Sequence, residues 1–297
     1  MSELKPFMKC PGGKRRLIPE ILKEFPEDFD ESWTYVEPFL GGGSLTLHLL
    51  GLKPELAKKM ILGELNSQVA NLWISIKNNP KAVSDFFDAV CSTHSKESFL
   101  EQRSYLKELP KVAELLEVNA EGLAGEAGRF LYLNKNCYNG SIRFNRAGNF
   151  NAPMGKYDKV QTYDKENALK VSKALKRVKI YNRDFQRLFE DMQLKGANRN
   201  WEKTLFYFDP PYIPLSTTSH FTYYTADGFR MYDQKRLRFI IDMITSLGGK
   251  VIASNSCSPV SKELYKIYNQ KEIHAARSIN VKADKRGKIK ELLIKNF

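Results

Sequence analysis

Long apolar runs are missing from this chain of 297 residues. None approaches the roughly 20 consecutive apolar residues of a membrane-spanning helix, which excludes a span of that kind. The first residues, MSELKPFMKCPGGK, hold no apolar core like that of a secretory signal. Cysteine is scarce: Cys10, Cys91, Cys137 and Cys257 stand far apart, with no C-x-x-C pair and no histidine at ligand spacing. Neither a disulfide scaffold nor a structural zinc site is expected, and a cytoplasmic protein without a metal is. Acid is the third shortage, with 34 Asp and Glu against 47 Lys and Arg, a net charge of +13. Such an excess favours a polyanionic partner, although basic charge also serves solubility.

The acid shortage is concentrated. Between Ala127 and Tyr157 there is no Asp or Glu, while Arg129, Lys135, Arg143, Arg146 and Lys156 lie among six asparagines and six aromatics. A second stretch, 170–187, sets seven Lys and Arg against Asp184 alone. Cations mixed with asparagine and aromatic rings suit phosphate contacts, base-edge hydrogen bonds and base stacking. The plain alternative is a solvated basic surface over a few core aromatics.

Six segments read as short buried strands: 34–39 (TYVEPF), 60–65, 179–185, 204–209 (TLFYFD), 250–254 (KVIAS) and 291–297. Helical patterns fall at 17–23, 44–50, 67–77 and 234–247. Their alternation predicts an α/β fold with a parallel sheet and a ligand crevice at the carboxyl ends of its strands. The alternation stops between about 80 and 157. Helical stretches at 82–90, 97–109 and 112–116 come first, then the acid-free window. Inside that window RFNRAGNFN (143–151) alternates about an Ala-Gly turn, as a β-hairpin does. This middle part is expected to be a second, mainly helical domain inserted into the first.

The strand TYVEPF runs into Gly41-Gly42-Gly43-Ser44, and the next strand ends in Glu64, 21 residues after Gly43. Glycines let a ligand approach the backbone, and an acid at that distance accepts hydrogen bonds from a ribose. Pro11-Gly12-Gly13-Lys14 fails the phosphate-loop pattern, and Thr46 stands where a dinucleotide fingerprint wants its third glycine. Glu37, just before the glycines, would oppose a pyrophosphate but suit a ligand with a sulfonium and an amino group. S-adenosylmethionine fits that description; a salt-bridged structural role for Glu37 stays open.

The sharpest signal is Asp209-Pro210-Pro211-Tyr212, delivered by the apolar strand LFYF. Two prolines remove two N–H groups, so the segment presents carbonyl acceptors. The exocyclic amine of a base is a poor nucleophile. Accepting its hydrogens with Asp209 and the Pro210 carbonyl would concentrate electron density on nitrogen, with Tyr212 stacked on the ring. A bare turn after a strand is the alternative.

With these residues in place the chain resembles a Dam-type DNA adenine methyltransferase, of the class that has the cofactor motif first, recognition in the middle and DPPY last. The resemblance extends over FMKCPGGK, VEPFLGGGS, FLYLNKNCYNGSIRFN…GNFNAPMGKY, DPPY and PLSTTSHFTYY, nearly the whole chain. It implies a Rossmann-like methyltransferase sheet made by residues 1–66 and 168–297, and a DNA-recognition domain of residues 67–167. It implies that Lys14, Phe39, Gly41, Gly43 and Ser44 line the cofactor pocket, with Cys10 and Phe185 beside them. Glu64, where the family usually has Asp, would bind the ribose hydroxyls, and Asp184 would lie near the cofactor's adenine. Asp209, Pro210, Pro211 and Tyr212 would hold the target adenine, flipped out of duplex DNA. Tyr138 and Asn139 would wedge into the duplex and touch phosphate, and Arg143 and Lys9 would read guanines. Pro153 would meet a thymine methyl, Ser141 stands where relatives often carry Leu, and Lys156 belongs with the DNA contacts. By that analogy the target is GATC, and the run 282–290 is a basic loop before the last strand. Two rival readings are methylation of the cytosine amine and a non-catalytic DNA-binding protein on a vestigial cofactor fold.

Overall fold

The computed structural model describes residues 3–110, 120–194, 199–213, 228–276 and 288–297. Its frame is a seven-stranded sheet of order β3-β2-β1-β4-β5-β7-β6. The strands are β1 (Thr34–Glu37), β2 (Met60–Glu64), β3 (Lys179–Asn182), β4 (Thr204–Phe208), β5 (Lys250–Ser256), β6 (Asn269–Ala276) and β7 (Lys288–Lys295). β1 to β5 run parallel. β1, β2, β4 and β5 carry the near-continuous apolar runs of strands covered on both faces, whereas β3 is a half-exposed edge strand. Within the expected parallel α/β sheet one strand runs the other way: β7 enters antiparallel between β5 and β6.

Ten helices are described: α1 (Ile18–Leu22), α2 (Ser44–Leu52), α3 (Ser67–Asn78), α4 (Pro80–Ser92), α5 (Lys96–Tyr105), α6 (Ala120–Asn136), α7 (Lys165–Leu175), α8 (Phe185–Leu194), α9 (Met231–Ser246) and α10 (Pro259–Leu264). Alternate strand residues feed two core layers. Tyr35, Leu62, Leu205, Tyr207, Ile252 and Leu293 face one side, where α3 and the helices α4 to α6 continue the same core. Val36, Ile61, Phe206, Phe208, Val251 and Ile294 face the other, under α8 and α9. α3 is buried along almost its whole length.

Several boundaries differ from the sequence reading. β3 stops at Asn182 and the chain turns helical at Phe185, because the Asp184 side chain accepts the Gln186 N–H at 2.9 Å. β1 and β4 end before Pro38 and Pro210, which have no N–H to extend a ladder. Residues 106–109 are not helical, since Leu106 O accepts from Phe150 N (3.1 Å) and Glu108 N donates to Gly148 O (2.7 Å). That pairing adds a third backbone segment to the expected hairpin, which forms through Phe144 and Phe150. Lys288 to Lys290, assigned to a basic loop, open β7. The expected helix at 112–116, the PLSTTSHFTYY segment and residues 282–287 lie outside the described residues.

Candidate active site and nucleic-acid interface

The chain order reverses between β1 and β4, so the loops leaving their carboxyl ends diverge and open a crevice. On the β1 side is the glycine turn. Gly41 and Gly43 have φ of +48° and +61°, left-handed values that favour glycine. A Cβ on Gly43 would lie 2.5 Å from the Trp73 ring, whose Nε1 donates to Gly41 O at 2.8 Å. Ser44 opens α2 directly behind the turn. Cys10 packs from below, its Cβ only 2.8 Å from where a Cβ on Gly42 would be. Burial pushes the Cys10 thiol up to about 12, which keeps it neutral.

Glu64 closes the turn from β2. Its carboxylate accepts the Gly41 N–H at 2.9 Å and the Asn66 N–H at 2.7 Å. Burial raises its pKa to about 7 against the pull of those N–H groups. Glu37 is 3% exposed and turned toward the hydroxyls of Tyr35 (2.8 Å) and Thr46, which both donate to it. Burial lifts it to about 8. Phe39 stacks on Phe185 at 5.3 Å and meets Phe208 and Phe229 edge-on, an aromatic wall beside the turn. Asp184 takes an Nη2–H of Arg236 at 2.9 Å, and that guanidinium also lies over the Phe185 ring.

On the β4 side the Asp209 segment meets two residues distant in sequence. Lys14 Nζ is 3.1 Å from Asp209 Oδ1 and 3.6 Å from Glu291 Oε2, and lies 4.4 Å from the Tyr212 ring centre. Tyr212 donates its hydroxyl to the same Glu291 oxygen at 2.6 Å. Burial works against the Lys14 charge, but the carboxylates of Asp209 and Glu291 outweigh it and raise its pKa. Asp209 is raised chiefly by burial, with Glu291 adding to the effect and Lys14 opposing it. The loop itself is braced from behind: Gln234 Nε2 donates to Pro211 O at 2.9 Å, and Ile213 N donates to Asn255 Oδ1 at 3.1 Å. Asn255 also donates to Gln234 Oε1 at 3.1 Å.

The acid-free window is joined to this crevice by the first residues of the chain. Lys9 Nζ donates to Lys135 O (2.7 Å) and Tyr157 OH (3.1 Å), and its backbone exchanges two hydrogen bonds with the Asn134 side chain. One segment thus sets Lys9 against the base of the hairpin, Cys10 under the glycine turn and Lys14 on Asp209. Burial, then the Lys9 charge, lowers Lys135 to about 8. Tyr138 and Asn139 stand exposed at the end of α6. Asn139 is the single non-glycine with positive φ among the described residues (φ 55°), and Gly140 beside it is pressed against Lys9. Ser141 is half-buried, while Pro153 and Lys156 are exposed. Arg143 is exposed with its fork fixed in plane: Nε donates to Asn151 Oδ1 (2.7 Å) and Nη2 to Asn151 O (2.9 Å).

Sequence reasoning missed Glu291, Gln234, Asn255, Trp73 and Arg236. No local motif marks them; only an acid inside the otherwise apolar ELLI run hinted at Glu291. Among the described residues no group of three or more His, Cys, Asp and Glu could hold a metal. Nor, among them, is any helix long and apolar enough to cross a membrane.

A sheet of this order, with an antiparallel seventh strand beside β5 and a glycine turn at the switch point, defines a Rossmann-like methyltransferase. A family model described as D12 class N6 adenine-specific DNA methyltransferase matches residues 11–279, and the chain belongs to that family. It is an adenine-specific DNA methyltransferase. It is 35% identical to the Type II methyltransferase M1.LlaDCHI of Lactococcus lactis subsp. cremoris, over 99% of this chain and 96% of that protein. Identity is also 35% to the Type II methyltransferase M.MjaIII of Methanocaldococcus jannaschii, over 99% of this chain and all of the other. The DNA adenine methylase of Vibrio cholerae is 29% identical, over 99% and 96%.

Proposed function

We propose that the enzyme moves the methyl group of S-adenosylmethionine to the 6-amino group of an adenine flipped out of duplex GATC. The observation that carries this is the delivery of Asp209-Pro210-Pro211-Tyr212 to the crevice lined on its far side by the glycine turn and Glu64. The residues present fit the cofactor. The turn has no side chain in the way, Glu64 is a buried acid with lone pairs left for hydroxyls, and the Phe39 wall offers a ring its face. Bound there, S-adenosylmethionine supplies an electrophilic methyl on a sulfonium. Gly41, Gly43, Ser44 and Glu64 would hold its sugar end and Asp184 and Phe185 its base, with Lys14 lining the pocket between the glycine turn and Asp209. Cys10 supports the turn, and Glu37 braces it from beneath through the hydroxyls of Tyr35 and Thr46.

Asp209 and the Pro210 carbonyl would accept hydrogen bonds from the two amine hydrogens and orient the nitrogen lone pair toward the methyl, with Tyr212 stacked on the ring; one proton leaves the amine once the methyl is on it. The flipped base is what such a site demands, because the amine inside a duplex is out of reach. Residues 67–167 are the recognition domain and 1–66 with 168–297 the catalytic one. Arg143, pre-set by Asn151, and Lys9 read guanine; Tyr138 and Asn139 fill the space the base leaves; Ser141 and Pro153 face thymine; Lys156 meets phosphate. The enzyme works on duplex DNA in the cytoplasm. Methylation of duplexes carrying each single substitution in GATC tests this. Full discrimination at guanine should fall in Arg143→Ala, and an Arg143→Ala enzyme that discriminates like wild type would remove the assignment.

A further inference from the structure

We propose that Glu291 is a positioning residue for methyl transfer: it moors the Tyr212 ring by its hydroxyl and shares the Lys14 ammonium with Asp209. This rests on the assignment of Asp209 and Tyr212 to the target base. Glu291 lies on β7 opposite Ser256 of β5 and Ile273 of β6, so three strands fix its backbone. Its side chain is 12% exposed, and one oxygen serves both partners, 2.6 Å from the Tyr212 hydroxyl and 3.6 Å from Lys14 Nζ.

The geometry explains why a carboxylate stands there. Lys14 lies over the Tyr212 ring and on Asp209 Oδ1, the two places a bound adenine would use. As the base enters, the ammonium gives up Asp209, and a buried cation left with only the Gly12 carbonyl (3.2 Å) and no opposite charge is costly. Glu291 keeps it paired. The same oxygen stops the Tyr212 ring from turning as it takes the base. An amide at 291 would still accept the phenol but would lose the charge that Lys14 needs; an alanine would lose both.

Single-turnover methylation of duplex DNA, with separate DNA and cofactor binding measurements, tests the proposal. Glu291→Ala should slow the chemical step by about 10²-fold, the scale of a misplaced reacting group, with both dissociation constants within about threefold of wild type. Glu291→Gln should recover about tenfold of that loss through the retained acceptor. In a Tyr212→Phe background the Glu291→Ala effect should shrink, because the two residues act as a unit. Wild-type rates in Glu291→Ala, a loss confined to binding, or independent multiplication with Tyr212→Phe would each overturn the proposal. If the alanine variant does not fold, Glu291→Gln decides alone: no rate loss refutes the shared charge. Asp209→Ala run in parallel separates the layers. Full activity there sinks the assignment beneath, whereas its loss alongside full activity in Glu291→Ala sinks only this inference.

Discussion

In the proposed mechanism Asp209 accepts hydrogen bonds from the amine as a carboxylate, so its environment would set the acid limit of the reaction. Burial raises it above the ordinary 3.8, Glu291 adds to that and Lys14 opposes it. Activity is present above the folded pKa and fades as pH falls through it, so the acid limb should lie above the usual aspartate range. Lys14→Met removes the opposing charge and should move the limb higher still in a single-turnover pH profile; an unmoved limb would contradict the pairing. Other charges and titratable groups near Asp209 are Cys10 on the N-terminal segment, Tyr35 and Glu37 on β1, Tyr207 on β4, Tyr212 and Glu291. The DPPY run was legible because all four residues are consecutive. Glu291 was not, since antiparallel insertion of β7 brings it to Asp209 and a one-dimensional pattern carries no trace of that.

Elements tell the same story at larger scale. The central strands β1, β2, β4 and β5 and the helix after the glycines announced themselves because burial forces apolar runs. α6 did not, since its sequence AEGLAGEAGRFLYLNKN has three glycines, which disfavour a helix by about 1 kcal/mol each. The structure shows what one of them is for: a Cβ on Gly128 would lie 2.8 Å from Val83 O, so α6 and α4 pack backbone to backbone there. α8 was hidden behind its own Asp184 cap, and β6 is a half-polar edge strand. The glycine turn yields a test. Gly43→Ala meets both a left-handed φ and the Trp73 ring, and should lower stability by about 2 kcal/mol or more in urea unfolding. Gly12→Ala, at φ +82° with open space around it, should lose less; equal losses would show that the Trp73 contact contributes nothing. Asn139→Gly relieves the positive φ and should change stability by no more than about 1 kcal/mol while reducing methylation of duplex DNA. Unchanged methylation would free Asn139 from the interface.

The whole molecule carries a net charge of +13, and its acid-free window holds the exposed Arg143, Arg146 and Lys156. A phosphate contact and a base contact separate by salt. Lys156→Ala should weaken all duplexes alike and lower the slope of log affinity against log salt by about 1. Arg143→Ala should instead cost about 1–3 kcal/mol of guanine discrimination. The net charge and the window made a DNA partner legible, but not the joint between the two functions, which is the segment from Lys9 to Lys14 threading under both. The most direct measurement is labelled-methyl transfer from S-adenosylmethionine to unmethylated duplex DNA by the wild type and Asp209→Ala, with base analysis and mapping of each modified position. Label in 6-methyladenine within GATC, and its disappearance in Asp209→Ala, is the expected result. Label in adenines outside GATC would discard the recognition residues, and label persisting in Asp209→Ala would contradict the site itself.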